Sequence, residues 1–545
     1  MVTTRLRRAC TALLAGALLA LAAPQAGATT PPPDSTSTSP PDTTVRTQQG
    51  WVRGEATAAG RQFLGIPYAA PPVGALRWRA PKAVAPWSGV RDATDFGHRC
   101  VQPAGWDPGY EMPTRTEDCL NLNVYSPTAA RTGRKLPVMV WLHGGGLTGG
   151  AGADVVPDAF AAKGSVVAVT VNYRLGAMGF LATPGLDEEA GDRTSGNFGM
   201  QDQQAALRWV RANIARFGGD PDQVTIAGES AGGRSVCTHL ASPAARGLFH
   251  RAIIQSGAYG DCGARTRRAA DADGTSFAAS VGCKDPATAT ACLRRTPAKD
   301  ILAAQDGHDW GPVAGGSFLP EQPATAFASG RYAKVPVLNG ANRDEGTLFA
   351  FGSYDAQGTP LTAEQYPQAL RTAYGPETGE KALARYPLAD YPTPTLAYAA
   401  TVGDQLMACP ALRLNNRLGA RTPVYAYEFA DRTSPPFESL RNLDTDFPFG
   451  ATHVNEVQYL FRHFGHDAPL NAEQRVLAEQ MTAYWTAFIR TGNPHVTGEP
   501  DLPDQRTEPG RALSLRTASA GGNAVTGTLH TDHLCDLWDA SGRKS

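Results

Sequence analysis

One stretch, Val224–Gly233, constrains the fold of this chain more than any other. It reads VTIAGESAGG, so a short run rich in β-branched residues meets a glycine, one serine, a second glycine and a helical pattern. This order predicts a strand, a sharp turn and a helix, with Ser230 on the turn and its backbone at the helix N-terminus. Gly228 and Gly232 are needed because a side chain would clash across so tight a turn. The pattern indicates a serine nucleophile, with an ordinary Gly-Ser turn as the alternative in a chain of 58 glycines.

The residues around this stretch predict a parallel α/β unit. Residues 137–142 (PVMVWL) and 166–172 (VVAVTVN) read as buried strands, and 202–217 has apolar residues at helical spacing. The helix after Ser230 is expected to run through Leu240 and to end at the Ser-Pro pair that follows. Strand, helix, strand and helix in this order form a right-handed unit of a parallel sheet covered by helices.

A glycine-rich loop, 143–149, follows the first of these strands. The G-x-G-x-x-G pattern that begins at Gly144 also fits a dinucleotide-binding site, which wants an acidic residue about 20 positions on, at the end of the next strand. The strand at 166–172 carries no acidic residue. An oxyanion hole explains the loop better, because backbone N–H groups must point at a developing alkoxide without side chains in the way.

A hydrolase of this kind needs an acid and then a histidine later in the chain. Of the eleven histidines, His453 stands out because it starts a helical segment after the aromatic-proline loop 447–449. Two H-x-x-H pairs lack carboxylate-rich surroundings, so we expect them in solvated loops rather than in a metal site; they are His463/His466 and His530/His533. For the acid, a strand at 335–340 leads to Asp344 and Glu345, and both qualify by position.

Two long motifs mark a resemblance to a known family. Residues 117–125 read EDCLNLNVY, which is similar to the second signature of the type-B carboxylesterase family, and Gly228–Gly233 lies in its first signature. The resemblance covers a domain at 44–541. It implies an α/β-hydrolase fold, with a large central, mostly parallel sheet flanked by helices and with helical insertions that form a gorge. It also implies a serine carboxylesterase that acts on small-molecule esters and uses no cofactor or metal.

The resemblance also implies roles for individual residues. It makes Ser230 the nucleophile, His453 the base and Glu345 the acid, and it leaves Asp344 in the surrounding loop. It assigns the oxyanion donors to the N–H groups of Gly145, Gly146 and Ala231. Three further positions are expected to line the site: Glu229, which either tunes the field or is structural; Leu147, where relatives often carry an aromatic residue; and Trp310, which is either a wall residue or core packing.

The cysteines indicate an oxidising compartment. Eight of the nine follow the N-terminal apolar segment, and residues 1–28 have the basic region, short apolar core and small-residue cleavage site of a secretory signal peptide. Proximity and the family pattern imply the disulfides Cys100–Cys119 and Cys283–Cys292. The family contexts imply Cys409–Cys535, which leaves Cys237 and Cys262 unpaired.

Composition excludes several classes of partner. Residues 29–43 are rich in Pro, Ser and Thr and are predicted to be a disordered spacer. No later stretch reaches about 18 consecutive apolar residues, so we expect no membrane span. The formal net charge of −1 and the lack of a basic block make nucleic acid a poor partner. We therefore expect an exported, extracellular monomer.

Segments that resemble the family predict two ion pairs, Arg77 with Glu117 and Arg174 with Asp202. The loop between Cys100 and Cys119 offers only Trp106 and Tyr110 to hold a cation, so no marked preference for quaternary-ammonium esters is expected. Two other functions are possible for such a chain. One is a non-catalytic binding or adhesion module, and the other is a serine peptidase on the same scaffold.

Overall fold

The computed structural model describes residues 43–105, 110–132, 135–162, 166–441, 443 and 445–541. The predicted signal peptide, the spacer apart from residue 43, and Trp106 lie outside these ranges.

The strands of the described residues are β1 (Thr44–Arg46), β2 (Trp51–Arg53), β3 (Glu55–Thr57), β4 (Gly60–Pro67), β5 (Val90–Asp92), β6 (Asn121–Pro127), β7 (Leu136–Leu142), β8 (Val155–Val156), β9 (Val167–Val171), β10 (Gly219–Glu229), β11 (Arg251–Gln255), β12 (Arg265–Thr266), β13 (Val313–Ala314), β14 (Val337–Asn342), β15 (Val424–Phe429), β16 (Arg462–His463), β17 (Ala512–Leu515) and β18 (Ala524–Thr526).

The α-helices are α1 (Asp158–Ala162), α2 (Gly176–Phe180), α3 (Pro184–Ala190), α4 (Phe198–Asn213), α5 (Ala231–Ala241), α6 (Arg267–Ser280), α7 (Ala289–Arg295), α8 (Ala298–Ala303), α9 (Pro323–Ser329), α10 (Gly346–Ser353), α11 (Tyr366–Tyr374), α12 (Pro376–Arg385), α13 (Pro394–Gly403), α14 (Cys409–Gly419), α15 (Val457–Leu460), α16 (Ala472–Thr491), α17 (Leu529–Asp532) and α18 (Cys535–Ser541). A π-helical turn, Asp404–Ala408, joins α13 to α14. Within the described residues, no helix combines the length and the apolar character needed to cross a membrane.

An eleven-stranded sheet forms the centre of the molecule, in the order β18-β17-β15-β14-β11-β10-β7-β9-β6-β4-β3. The strands from β17 to β9 in this order pair in parallel, and antiparallel strands lie at both ends. Strand β10, which leads into Ser230, lies between β7 and β11, near the middle. This is the α/β-hydrolase fold that the sequence predicts, and its parallel part brings the carboxyl ends of β7, β10, β11 and β14 to one edge.

Alternating side chains of the central strands contact two separate cores, one on each face of the sheet. In β7, Val138, Val140 and Leu142 belong to the larger core, whereas Met139 and Trp141 belong to the second. Successive side chains of a strand point to opposite faces, so a strand covered by helices on both sides is apolar throughout. The elements that carry the site are therefore fixed from both faces.

Four disulfides are present, and one of them corrects the prediction from sequence. The three predicted pairs, Cys100–Cys119, Cys283–Cys292 and Cys409–Cys535, are confirmed. Cys237 and Cys262, expected to be unpaired, form the fourth, with their Cα atoms 5.8 Å apart. The reason is spatial: Cys237 lies on the inner face of α5, and the 3₁₀ turn after β11 brings Cys262 against it, with both residues fully buried.

Both predicted ion pairs are confirmed; the pair of Arg174 and Asp202 is buried, and that of Arg77 and Glu117 is partly buried. Two guanidinium nitrogens of Arg77 donate to the carboxylate of Glu117, and one more nitrogen donates to the carbonyl of Thr296 at 2.6 Å. Arg174 donates through Nε and a terminal nitrogen to the two carboxylate oxygens of Asp202, at 2.7 Å each. This bidentate pair joins the segment after β9 to helix α4.

Candidate active site

The turn between β10 and α5 has the strained geometry that the sequence predicts. Ser230 has φ 54° and ψ −121°, a conformation that non-glycine residues rarely adopt and that is typical of functional turns. A Cβ atom on Gly228 would lie 2.5 Å from the carbonyl carbon of Gly232, and one on Gly232 would collide with the carbonyl oxygen of Leu142. The two glycines therefore allow the helix to start directly above the end of β7. Ser230 itself is half-buried, and its N–H donates to the carbonyl of Gln255 at 2.9 Å.

The structure brings Glu345 and His453 together at the same edge of the sheet. Nδ1 of His453 lies 2.6 Å from Oε2 of Glu345. Because a carboxylate only accepts hydrogen bonds, this contact places the ring hydrogen on Nδ1 and leaves Nε2 as the acceptor. The other carboxylate oxygen accepts from Ser256 Oγ at 2.5 Å and from the N–H of Asn342 at 2.7 Å. The acid is fully buried and fixed by three donors.

The other ring nitrogen of His453 faces the residue before the serine. Nε2 lies 3.3 Å from Oε1 of Glu229, an oxygen that makes no hydrogen bond within the described part of the chain. Nor does any hydrogen bond join Ser230 Oγ to Nε2 among these residues. Such catalytic contacts are often long in the free enzyme and shorten when substrate binds. The imidazole is therefore held at Nδ1. It lies beside the turn that carries Ser230, which we call the serine elbow, and its Nε2 is free to accept a proton.

Three buried carboxyl groups surround the imidazole and shape its charge. Burial disfavours the imidazolium, but the negative charges of Glu229 and Glu345 outweigh burial and raise the pKa of His453 to about 9. Burial, together with the charges of Glu456 and Glu345, raises the pKa of Glu229 well above its ordinary value. The positive charge of His453 acts in the opposite direction on the pKa of Glu229 and lowers it. The site as a whole stabilises a positive charge on His453.

The glycine loop after β7 presents unused backbone donors. Gly145 and Gly146 have φ values of 97° and 62°, which side chains rarely adopt. The turn is closed by the N–H groups of Thr148 and Gly149, which donate to the carbonyl of Gly145 at 3.0 and 2.9 Å. Within the described residues, the N–H groups of Gly145, Gly146 and Ala231 donate to no other group. Three free amides beside the serine elbow can bind an oxyanion.

A cavity of about 540 Å³ opens against this constellation. Its inner wall includes Glu229, His453 and the loop residues Gly144 and Gly145, and apolar side chains form much of the rest. The apolar and aromatic lining residues are Tyr110, Trp141, Val155, Leu348, Phe349, Phe437, Leu440, Val454 and Val457. A concave, mainly apolar cavity with a few polar groups is typical of a small-molecule site.

Of the three positions expected to line the site, Glu229 lines this cavity. Trp310 and Leu147 are not among its lining residues. Trp310 is buried, donates from its indole N–H to the carbonyl of Gln305 at 3.0 Å and packs edge-to-face against Phe277. Leu147 is buried in the larger core. Asp344 accepts from Arg432 and from the N–H of Ala451, as the loop role predicts.

Several polar partners of Glu345 and His453 were not predicted from the sequence. Glu456, Asn342, Ser256 and Gln255 form a buried chain of hydrogen bonds around Glu345 and His453. Two of the four have a local signal: Glu456 lies in the same short motif as His453, and Asn342 lies three residues before Glu345. Gln255 and Ser256 lie at the end of another strand, β11, and no local pattern points to them.

The expectation of solvated loops for the H-x-x-H pairs is wrong for one member of each pair. His463 is buried because β16 pairs with β8 under Phe437, and it lines the cavity. His533 is buried between Asp404 and Glu428, with its ring nitrogens 2.5 and 2.8 Å from their oxygens. Among the described residues, no group of three His, Cys, Asp or Glu side chains is arranged to hold a metal.

Tyr110, one of two candidates for holding a cation, already has partners. Its hydroxyl donates to Asp154 at 2.5 Å, and the guanidinium of Arg99 lies 4.0 Å from the centre of its ring. A positive group already covers the aromatic face. A quaternary ammonium would have to displace it.

Comparisons with known proteins agree on one family. A family model described as "Carboxylesterase family" matches residues 41–535. The chain is 37% identical to an acylcarnitine hydrolase of Mus musculus, over 81% of each chain. It is 36% identical to a para-nitrobenzyl esterase of Bacillus subtilis (strain 168), over 83% of this chain and 90% of the relative. A solved structure titled thermophylic PNB esterase matches with a TM-score of 0.75 and 32% identity, over 91% of this chain and all of the other.

Proposed function

Because this chain belongs to the carboxylesterase family and is a carboxylic ester hydrolase, we propose that it cleaves small-molecule esters through an acyl-enzyme on Ser230. The observation that supports this most is the buried 2.6 Å contact between Glu345 and Nδ1 of His453, directly beside the strained turn that carries Ser230. Nucleophile, acid and histidine follow one another in the chain order of α/β-hydrolases. Ser230 and Glu345 follow the ends of β10 and β14, and His453 lies in the segment between β15 and α15.

In the first step, Ser230 Oγ attacks the ester carbonyl while Nε2 of His453 takes its proton. Glu345 holds the imidazole in the tautomer that leaves Nε2 free, and stabilises the imidazolium without taking the proton. The carbonyl oxygen becomes an alkoxide, which the N–H groups of Gly145, Gly146 and Ala231 stabilise. Their freedom from other partners supports this role.

In the second step, His453 returns its proton to the oxygen of the leaving alcohol and the C–O bond breaks. Water then attacks the acyl-enzyme, with His453 again acting as base, and the acid product leaves. Because the leaving oxygen must reach Nε2, the alcohol half of the ester lies on the His453 side. We assign the alcohol half to the cavity of about 540 Å³, because His453 forms part of its wall.

Glu229 supports the charge that develops on His453. Its Oε1 lies 3.3 Å from Nε2, which is close enough to stabilise an imidazolium in a buried site. The charges of the two groups favour each other: Glu229 raises the pKa of His453, and the imidazolium in turn favours the carboxylate of Glu229. We assign it a tuning role, distinct from the nucleophile, base and acid.

The chain is proposed to act outside the cell. The four disulfides support an oxidising compartment, and residues 1–28 carry the signal-peptide pattern. The mature enzyme then starts near residue 29, with a spacer to residue 43 and the catalytic domain at 44–541. N-terminal sequencing of protein recovered from culture medium tests this. Retention of the full-length chain inside the cell would contradict it.

The decisive test of the mechanism is Ser230→Ala. We expect kcat to fall by roughly 10⁵–10⁶-fold, because nucleophile and base act as a unit. Glu345→Gln should cost less, roughly 10⁴-fold, by allowing the wrong tautomer. Ser329→Ala, at an exposed serine of α9, is the control and should keep full activity.

Labelling with a fluorophosphonate probe gives a second readout. Ser230 should be labelled in the wild type and in Ser329→Ala, but not after Ser230→Ala. Substantial activity in Ser230→Ala, or an unlabelled wild-type Ser230, would show that the nucleophile is misassigned. An ester and its matching amide, assayed together, separate the esterase from a peptidase.

A further inference from the structure

The wall of the cavity contains a buried histidine, His463, with an unpaired side-chain nitrogen among the described residues. His463 ends the short strand β16, which pairs antiparallel with β8, so that His463 lies opposite Val155. Its ring lies between Phe437 and Phe464, with each pair of ring centres 4.0 Å apart. The residue is only 8% exposed, and its Nδ1 has no hydrogen-bond partner within the described part of the chain.

The surroundings of His463 favour the neutral form of its imidazole. Burial, with the nearby positive groups Arg441 and His466, lowers its pKa to about 3. A neutral imidazole can donate or accept one hydrogen bond at Nδ1, according to its tautomer. A buried polar atom without a partner destabilises the fold, so such atoms in a native structure call for an explanation.

The location of His463 indicates a ligand as the missing partner. Two other polar atoms of the cavity wall, Glu229 Oε1 and His143 Nε2, make no hydrogen bond to a described residue, although Glu229 Oε1 lies 3.3 Å from His453 Nε2. Both belong to residues beside the serine elbow and the glycine loop, where the ester group itself binds. His463 is carried by a different element, β16, and the cavity residues around it, Val155 and Phe437, are apolar. It offers a hydrogen bond within a largely apolar wall.

We propose that His463 is a specificity-determining residue that hydrogen-bonds an uncharged polar group on the alcohol half of the ester. This rests on the proposed function, which places the alcohol half in this cavity. The preferred substrates are esters of alcohols with an apolar body and a hydroxyl, amide or carbonyl group away from the ester oxygen. A site built to bond such a group discriminates against analogues that lack it, because the polar atom of the protein is then left unpaired.

Matched ester pairs test this. The probes are para-hydroxyphenethyl acetate and para-methylphenethyl acetate, together with homologues that have shorter and longer tethers; within each pair, a hydroxyl replaces a methyl group of similar size. For at least one tether, the wild type should favour the hydroxyl ester in kcat/KM by roughly tenfold, the value of one buried hydrogen bond.

Three variants assign the preference to His463. His463→Leu should bring the ratio near one while kcat/KM for the methyl ester stays close to wild type. His463→Asn, whose amide lies near the position of Nδ1, should keep most of the preference. His466→Leu makes the same change on the exposed partner residue of this hairpin and should leave the ratio unchanged.

The outcomes separate this inference from the proposed function. If the methyl esters are hydrolysed but every wild-type ratio is near one, or if His463→Leu keeps the ratio, the role of His463 is wrong and the mechanism stands. If neither ester is hydrolysed and Ser230 is not labelled, the proposed function fails, and this inference with it. Should His463→Leu not fold, the wild-type ratios and His463→Asn still decide.

Discussion

His453 has a carboxyl group near each of its ring nitrogens, and this arrangement sets how the enzyme responds to pH. Glu345 at Nδ1 fixes the tautomer, whereas Glu229 at Nε2 faces the position where the proton of the nucleophile arrives. The two carboxyl groups therefore act differently although both raise the pKa of the same imidazole. One is needed for orientation and the other adjusts basicity.

The activity should depend on pH through the protonation of His453. Only neutral His453 can take the proton from Ser230, so kcat/KM should rise with pH as the imidazolium loses its proton. Its raised pKa places the half-maximum above the ordinary value of about 6.5. Glu229→Gln removes one of the groups that raise this pKa and should move the half-maximum to lower pH. The measurement is kcat/KM against pH for both enzymes.

Glu380→Gln provides the control for this profile. Glu380 lies on the surface in a pair with Arg371, so its substitution should leave the half-maximum unchanged. If Glu229→Gln also leaves it unchanged, Glu229 does not tune the base.

Among the elements, the pair between the end of β9 and α4 fixes a helix against the sheet. The side chains of Arg174 and Asp202 are 4% and 0% exposed, and their two hydrogen bonds are both 2.7 Å long. Burying two charges costs free energy that only a complete pair offsets. Removing one charged side chain of the pair therefore lowers the free energy of unfolding more than removing both.

We expect Arg174→Met to lower the free energy of unfolding by about 3–5 kcal/mol, because it leaves Asp202 buried without a counter-charge. Urea unfolding followed by fluorescence measures this. The matched control is Arg53→Met: Arg53 and Asp92 form an exposed pair, whose loss should cost less than about 1 kcal/mol. Equal losses in the two variants would contradict the account.

The success of prediction from sequence also differs between elements. The serine elbow could be predicted because its strand, glycines and helix are consecutive, so that a local pattern contains the geometry. The polar network could not, because Ser256 is 89 residues from Glu345, and Gln255 is 201 residues from Glu456. The Cys237–Cys262 bond joins residues only 25 apart, so its absence from the prediction has a different reason. It depends on how α5 meets the turn after β11, which no spacing rule contains.

For the whole molecule, the C-terminal segment is held to α13–α14 by two different bonds. Cys535 is linked to Cys409, and His533 lies between the buried carboxylates of Asp404 and Glu428. Burial disfavours a charged imidazole, but these carboxylates outweigh burial and raise the pKa of His533 to about 10. The fold is stabilised by the imidazolium form.

This cluster predicts a pH dependence of stability. A pKa that folding raises contributes its full stabilisation below the unfolded value, about 6.5, and the contribution is lost as pH rises through about 10. His533→Gln should therefore lower Tm most near pH 6, and the gap to wild type should shrink toward pH 10. Thermal unfolding at a series of pH values measures it.

His495→Gln serves as the control, because His495 is exposed in its pair with Asp501. Its gap to wild type should be small at every pH. A gap for His533→Gln that stays constant with pH would mean that His533 is neutral in the folded protein.

The same C-terminal segment has a consequence for how the chain is produced. Asp404 and Cys409 precede their partners by 129 and 126 residues, so a ribosome makes them long before His533 and Cys535 exist. Until then Asp404 lacks its counter-charge and Cys409 holds an open thiol. The domain therefore matures only after synthesis has passed this segment, and truncated chains would be left with a reactive thiol that quality-control systems can recognise.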